Sequence, residues 1–209
     1  MSTKSIEIYL SDFISFVNKT GTAKMTQVRN IQRRNPYEPF MDFYKILRDC
    51  IVDLHKENKS IKVLDHLLES LTDENKKKNY PDAIKGYKRF LGRKNFNWFA
   101  PPKSCLKIGN LSVIINPEIG LEEIKQDGTS CFYVIKLYFK KEKLSSFQAS
   151  EILTLMEMGL REKVKDQEIK FALLDVRNNK LRIKMNHETK EMPLLEGEAN
   201  SFVTIWNKL

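Results

Sequence analysis

No two cysteines in this sequence are spaced to bridge or to chelate. Cys50, Cys105 and Cys131 are odd in number and far apart, without a paired-Cys or Cys-His spacing, so neither a disulfide framework nor a zinc site has support and reduced thiols are expected. Histidine is equally scarce: His55, His66 and His187 stand alone, with no neighbour that would make a metal ligand set or a nucleophile's base. Gly86, Gly92, Gly109, Gly120 and Gly128 never assemble into a phosphate-cradling or dinucleotide-binding loop, which removes the warrant for a nucleotide cofactor. Ser145-Ser146 lacks the context of a nucleophile elbow. Long apolar runs are missing too, and Lys4 and Glu7 interrupt the opening residues, so neither a signal peptide nor a membrane span is expected and a cytoplasmic protein is.

Acid is scarce in one place above all. The chain of 209 residues carries 36 Lys and Arg against 27 Asp and Glu, a net charge of +9. No acid occurs between Asp82 and Glu118, and Lys85, Lys88, Arg89, Arg93, Lys94, Lys103 and Lys107 place +7 in that window. Tyr87, Phe90, Phe96, Trp98 and Phe99 lie among them. Cations interleaved with rings are what phosphate contacts and base stacking require, and a basic helix face followed by an aromatic anchor is the structural alternative. The candidate nucleic-acid-binding residues are Lys85, Lys88, Arg89, Arg93, Lys94, Phe96, Trp98 and Lys140; the partner expected is DNA or RNA, with an acidic protein as the alternative and no membrane.

With 41 % hydrophobic and 10 % aromatic residues the chain can bury a core of one or two domains. Residues 6–80 read as helices. Ile6, Leu10, Phe13, Ile14 and Val17 recur at helical spacing; Met25, Val28 and Ile31 line a second helix ending near Asn35-Pro36; Phe40, Phe43, Tyr44, Leu47, Ile51 and Leu54 line a third. Ser60 reads as the cap of a fourth, and Pro81 as the first turn of a fifth that follows a polar stretch from Asp73 to Lys78. From Lys103 the period shifts toward two. Three strands in a meander are expected: Cys105–Ile108 and Leu111–Ile115 about Gly109-Asn110, then Cys131–Phe139 after Asp127-Gly128. A capping box of Ser145 and Gln148 opens a helix bearing Phe147, Ile152, Leu155, Met156 and Leu160; two strands meet at Asn178-Asn179; a last helix carries Ala199, Phe202, Val203 and Trp206. The expected fold is α+β: a helical N-terminal half, residues 1–79, packed on an αβββαββα unit, residues 80–209, as two regions or one continuous domain.

Helix, three-stranded meander, helix and strand is a core order that resembles the PD-(D/E)XK nuclease-like superfamily. Asn116-Pro117-Glu118 at the end of the second expected strand and Val134-Ile135-Lys136 inside the third add to the resemblance. It implies a site in which two carboxylates hold Mg²⁺, with a lysine beside the phosphate. Lys136 matches that pattern and Val134 does not, so the resemblance is to a degenerate member. The candidate catalytic residues are Glu118 and Lys136, with Glu122 or Glu151 as a relocated second acid, and Glu118 is the candidate metal ligand. The alternatives to a nucleic-acid-binding protein are therefore a Mg-dependent nuclease, the one case that needs a cofactor, and a non-enzymatic interaction or regulatory module. The string from Lys85-Gly86-Tyr87-Lys88 through Trp98-Phe99-Ala100-Pro101-Pro102, Asn116-Pro117-Glu118-Ile119-Gly120-Leu121 and Ile135-Lys136-Leu137-Tyr138-Phe139-Lys140 resembles, over nearly the whole chain, a bacterial protein family of about this length with no assigned activity. That likeness implies a bacterial origin and one cytosolic unit, and adds no catalytic residue.

Overall fold

The structure, a computed structural model, describes residues 6–34, 42–164, 168–184 and 189–209. Lys4, Asn35, Pro36, Phe40 and His187, named above, lie outside them. In chain order the elements are β1 (Ile6–Tyr9), α1 (Leu10–Val17), α2 (Thr22–Gln32), α3 (Lys45–Lys56), α4 (Val63–Ser70), α5 (Glu74–Leu91), β2 (Asn95–Phe99), β3 (Ser104–Ile108), β4 (Leu111–Ile115), β5 (Ile119–Ile124), β6 (Ser130–Tyr138), α6 (Ser146–Leu160), β7 (Ile169–Asp175), β8 (Lys180–Ile183) and α7 (Met192–Lys208). The protein is α+β, with two mixed sheets. The larger runs β2-β5-β6-β7-β8 and is antiparallel except for β6 and β7, which α6 connects as a crossover. The smaller runs β1-β4-β3, with β1 parallel to β4.

Three expectations are corrected. Ile6–Tyr9 is a strand and not the start of the first helix, because pairing with β4 buries Ile8, and an apolar i, i+4 spacing of one turn cannot separate the two periods. Helix α5 begins at Glu74 rather than at Pro81: the Asp73 side chain accepts from Lys76 N at 3.0 Å, and Glu74 adds favourable charge in the first turn. Pro81 lies inside the helix, where it withholds one backbone donor. The position between residues 79 and 80 is within this helix. The meander is also built from other strands. The Gly109-Asn110 hairpin forms, with Gly109 at φ +59°, but β3 and β4 belong to the smaller sheet; the meander of the larger one is β2, β5 and β6. Five strands therefore separate α5 from α6. Strand β5 was masked by its glycine and its two acids, yet Gly120 is required there: a Cβ would stand 2.5 Å from the Phe99 carbonyl oxygen and 2.7 Å from its ring.

Alternation along the central strands feeds two cores. Val134, Phe171 and Leu173 face the side of α1, α6, α7 and the smaller sheet, whereas Ile135, Leu137, Ala172 and Leu174 face α3, α4 and α5. Helix α6 packs on β7 and also on β3 and β4, and its buried residues run almost round its circumference, as a helix held between layers requires. Its Gly159 admits the smaller sheet, since a Cβ would stand 2.4 Å from Ile115 Cδ1. The capping box forms as read: Gln148 N donates to Ser145 Oγ and Ser145 N to Gln148 Oε1, both at 3.1 Å.

Candidate nucleic-acid interface and the Glu118–Lys136 pair

Asn116, Pro117 and Glu118 carry the chain from β4 of the smaller sheet into β5 of the larger. The β5–β6 register, Ile119 opposite Ile135, then sets Glu118 opposite Lys136. Lys136 Nζ donates to Glu118 Oε1 and, at 3.1 Å, to the Asn116 carbonyl; Leu137 N donates to Glu118 Oε2 at 2.7 Å. The two side chains are only 16 % and 10 % exposed, so this pair sits largely out of water with both carboxylate oxygens engaged. Arg48, on α3, lies within the field of Glu118 and pairs with Asp42 at 2.7 Å. Burial works against the charge of Arg48, but the Asp42 hydrogen bond and the nearby carboxylates outweigh it and hold the guanidinium above its ordinary value. Sequence reasoning had no signal for Arg48 or Asp42, which arrive from a separate helix.

The two candidate second acids are held elsewhere. Glu122 accepts from Ser130 Oγ at 2.7 Å and Asn97 Nδ2 at 3.1 Å, and these bonds keep its carboxyl below the usual range. Four residues of strand separate it from Glu118 by about 13 Å, too far to share one cation. Glu151, on α6, is 2 % exposed and accepts from Asn18 Nδ2 at 3.2 Å, at the end of α1. Burial raises its carboxyl, Asn18 opposes that shift, and Glu198 and Glu191 reinforce it. Among the described residues no group of three or more His, Cys, Asp and Glu is arranged to hold a metal ion. Val134, where the resemblance would place an acid, is fully buried in the apolar core.

The basic window divides into open and closed cations. Lys85 and Arg89 project into solvent from α5 and Arg93 from the turn after it, with no ion pair among the described residues. Lys88 instead pairs with Asp65 at 2.6 Å, and Lys94 with Glu123 at 3.3 Å while lying over the Phe90 and Phe96 rings. Lys140 is exposed just beyond β6. Of the rings expected to stack on bases, Phe96 is used in packing, stacked on Phe90 with centroids 5.7 Å apart, and Trp98 is half-buried, its Nε1 buried without a partner among the described residues. Below them His55 Nε2 and Tyr87 OH meet at 2.5 Å; burial pushes His55 down to about 4 and the Tyr87 hydroxyl upward. Arg29, Arg33 and Arg34 do not extend this surface. Their helix α2 packs on α1 and α7, across the larger sheet from α5, and Arg34 is tied to Asp12 by two bonds of 2.8 and 2.9 Å.

No helix among the described residues is long and apolar enough to cross a membrane. Compared with protein-family models and with curated proteins, the chain matches none.

Proposed function

We propose that this protein binds nucleic acid through the open cations of α5 and its C-terminal turn, on a core resembling a PD-(D/E)XK nuclease-like domain whose standard catalytic pair is broken. The observation that carries the proposal is the exposure of Lys85, Arg89 and Arg93 without ion pairs among the described residues, in the stretch between Asp82 and Glu118 that has no acid. Their spacing of four residues keeps Lys85 and Arg89 on one side of the helix, about 6 Å apart along its axis, so both can reach one phosphate backbone. The resemblance of the core is supported by the antiparallel β2, β5 and β6 between α5 and α6, although the β3–β4 hairpin interrupts them in chain order, by β7 after α6, and by Glu118 opposite Lys136. A buried valine at 134, and a Glu118 already bonded at both oxygens, leave that core without the two convergent carboxylates that Mg²⁺ would need.

Charge reversal tests the proposal. Three phosphate contacts predict a slope of about −2.7 in log affinity against log salt for duplex DNA. In Lys85→Glu/Arg89→Glu/Arg93→Glu the slope falls toward zero and binding weakens at every salt concentration. An unchanged slope contradicts the assignment of these residues.

A further inference from the structure

Phe96, which the sequence offered for stacking, is packed on Phe90, and one ring that it offered for the core is open. Phe147 is 53 % exposed. The capping box fixes it in the first turn of α6 on the solvent side, while Ile152, Leu155 and Met156 take the buried sides. Immediately before it, the loop from β6 to α6 exposes Lys140, Lys141 and Lys143 against the single acid Glu142. This loop is held in shape: Tyr138 OH donates to the Glu142 carbonyl at 3.0 Å, and Arg182 donates to the Leu144 carbonyl at 2.6 Å and to Ser146 Oγ at 3.2 Å.

The loop also neighbours the α5 surface. Val176 N donates to the Tyr138 carbonyl at 3.0 Å, and Arg177 donates to the Asn79 carbonyl on α5 at 2.7 Å. The β7–β8 turn, with exposed Lys180, thus lies between the two cationic stretches. Three lysines within seven residues of an exposed ring provide both elements of single-strand recognition, phosphate contact and base stacking. A base inside a duplex offers its face to no such ring. We infer that the β6–α6 loop and the first turn of α6 form a contact for single-stranded nucleic acid, with Lys140, Lys141 and Lys143 on phosphates and Phe147 stacked on a base. This inference rests on the nucleic-acid reading but uses a surface separate from Lys85, Arg89 and Arg93.

The test compares a labelled oligothymidylate with a duplex of equal phosphate count, both at 50 mM salt. Phe147→Ala is expected to weaken oligothymidylate binding about tenfold, within the range of one lost stacking contact, and to leave duplex binding within about twofold. Phe147→Tyr, which keeps an aromatic face, restores the affinity and separates stacking from any loss of fold. Lys140→Glu/Lys141→Glu/Lys143→Glu weakens the single strand further. Single-strand affinity unchanged in Phe147→Ala, or lost equally with the duplex, overturns the inference. In either case the Lys85/Arg89/Arg93 reversal still decides the function proposed above, and wild-type protein that binds neither probe overturns both.

Discussion

Glu118–Lys136 and the α5 surface both look like charged sites in the sequence, and they behave in opposite ways. In the first, a cation and an anion lie at 16 % and 10 % exposure, and a backbone N–H takes the remaining carboxylate oxygen. In the second, Lys85, Arg89 and Arg93 face water with no ion pair among the described residues. Removing one partner of an ion pair closed in this way leaves an uncompensated charge at low dielectric, and a ligand could reach either group only by first breaking those bonds. Open cations contribute little to the fold and keep their field for a partner. On the function proposed above, the comparison separates residues whose loss should cost stability from residues whose loss should cost binding.

The largest expected effect is on stability. Lys136→Met removes one partner of a mostly buried pair and should cost about 3 kcal/mol in denaturant unfolding, with oligonucleotide affinity unchanged. A loss of affinity with unchanged stability would reverse the roles assigned to the two regions. Next, the triple reversal at Lys85, Arg89 and Arg93 should weaken duplex binding about a hundredfold at low salt while its melting midpoint stays within a degree or two of wild type.

A third prediction concerns the support beneath α5. Folded His55 resists protonation down to about pH 4, whereas the unfolded chain takes up a proton there near the ordinary value of 6.5. Stability should then fall with pH below about 6.5, by about 1 kcal/mol at pH 5.5, and His55→Gln should flatten this part of the curve. Stability that rises over that interval in the wild type but not in His55→Gln would contradict the placement of the imidazole. The smallest effect belongs to the closed cations of the same window. Lys88→Ala/Lys94→Ala should weaken binding only about threefold, since Asp65 and Glu123 already offset those charges. A loss as large as that of the triple reversal would dissolve the distinction between open and closed cations.

Much of the fold was legible where local chemistry decides it: the Ser145–Gln148 capping box, the Gly109-Asn110 hairpin, the turn at Asn179 with its positive φ, and the alternation that buries Ile135 and Leu137 opposite Val134. Strands whose partners are distant in sequence were not. Ile6–Tyr9 is a strand only because Leu111–Ile114 lies beside it, and β5 tolerates Gly120 only because Phe99 crosses it closely. At the candidate site, Glu118 and Lys136 were singled out through the resemblance, and it is the pairing of β5, a strand not expected, with β6 that sets them side by side. Which oxygens are occupied, and that Arg48 and Asp42 stand near, depends on α3 packing across the sheet, for which the sequence carries no local sign. The aromatic window misled for the same reason. Phe96 lies on an edge strand and packs against the α5 core, and only the tertiary structure shows that this ring is taken while Phe147 is exposed.

The most direct measurement is a salt titration of labelled duplex DNA with the full chain in the presence of Mg²⁺, the strands then being resolved on a gel. Affinity is predicted to fall about fortyfold between 50 and 200 mM salt, as three phosphate contacts require, with the DNA left intact. Binding that does not respond to salt, or Mg²⁺-dependent shortening of the strands, would contradict the account of open cations that bind and a closed pair that does no chemistry.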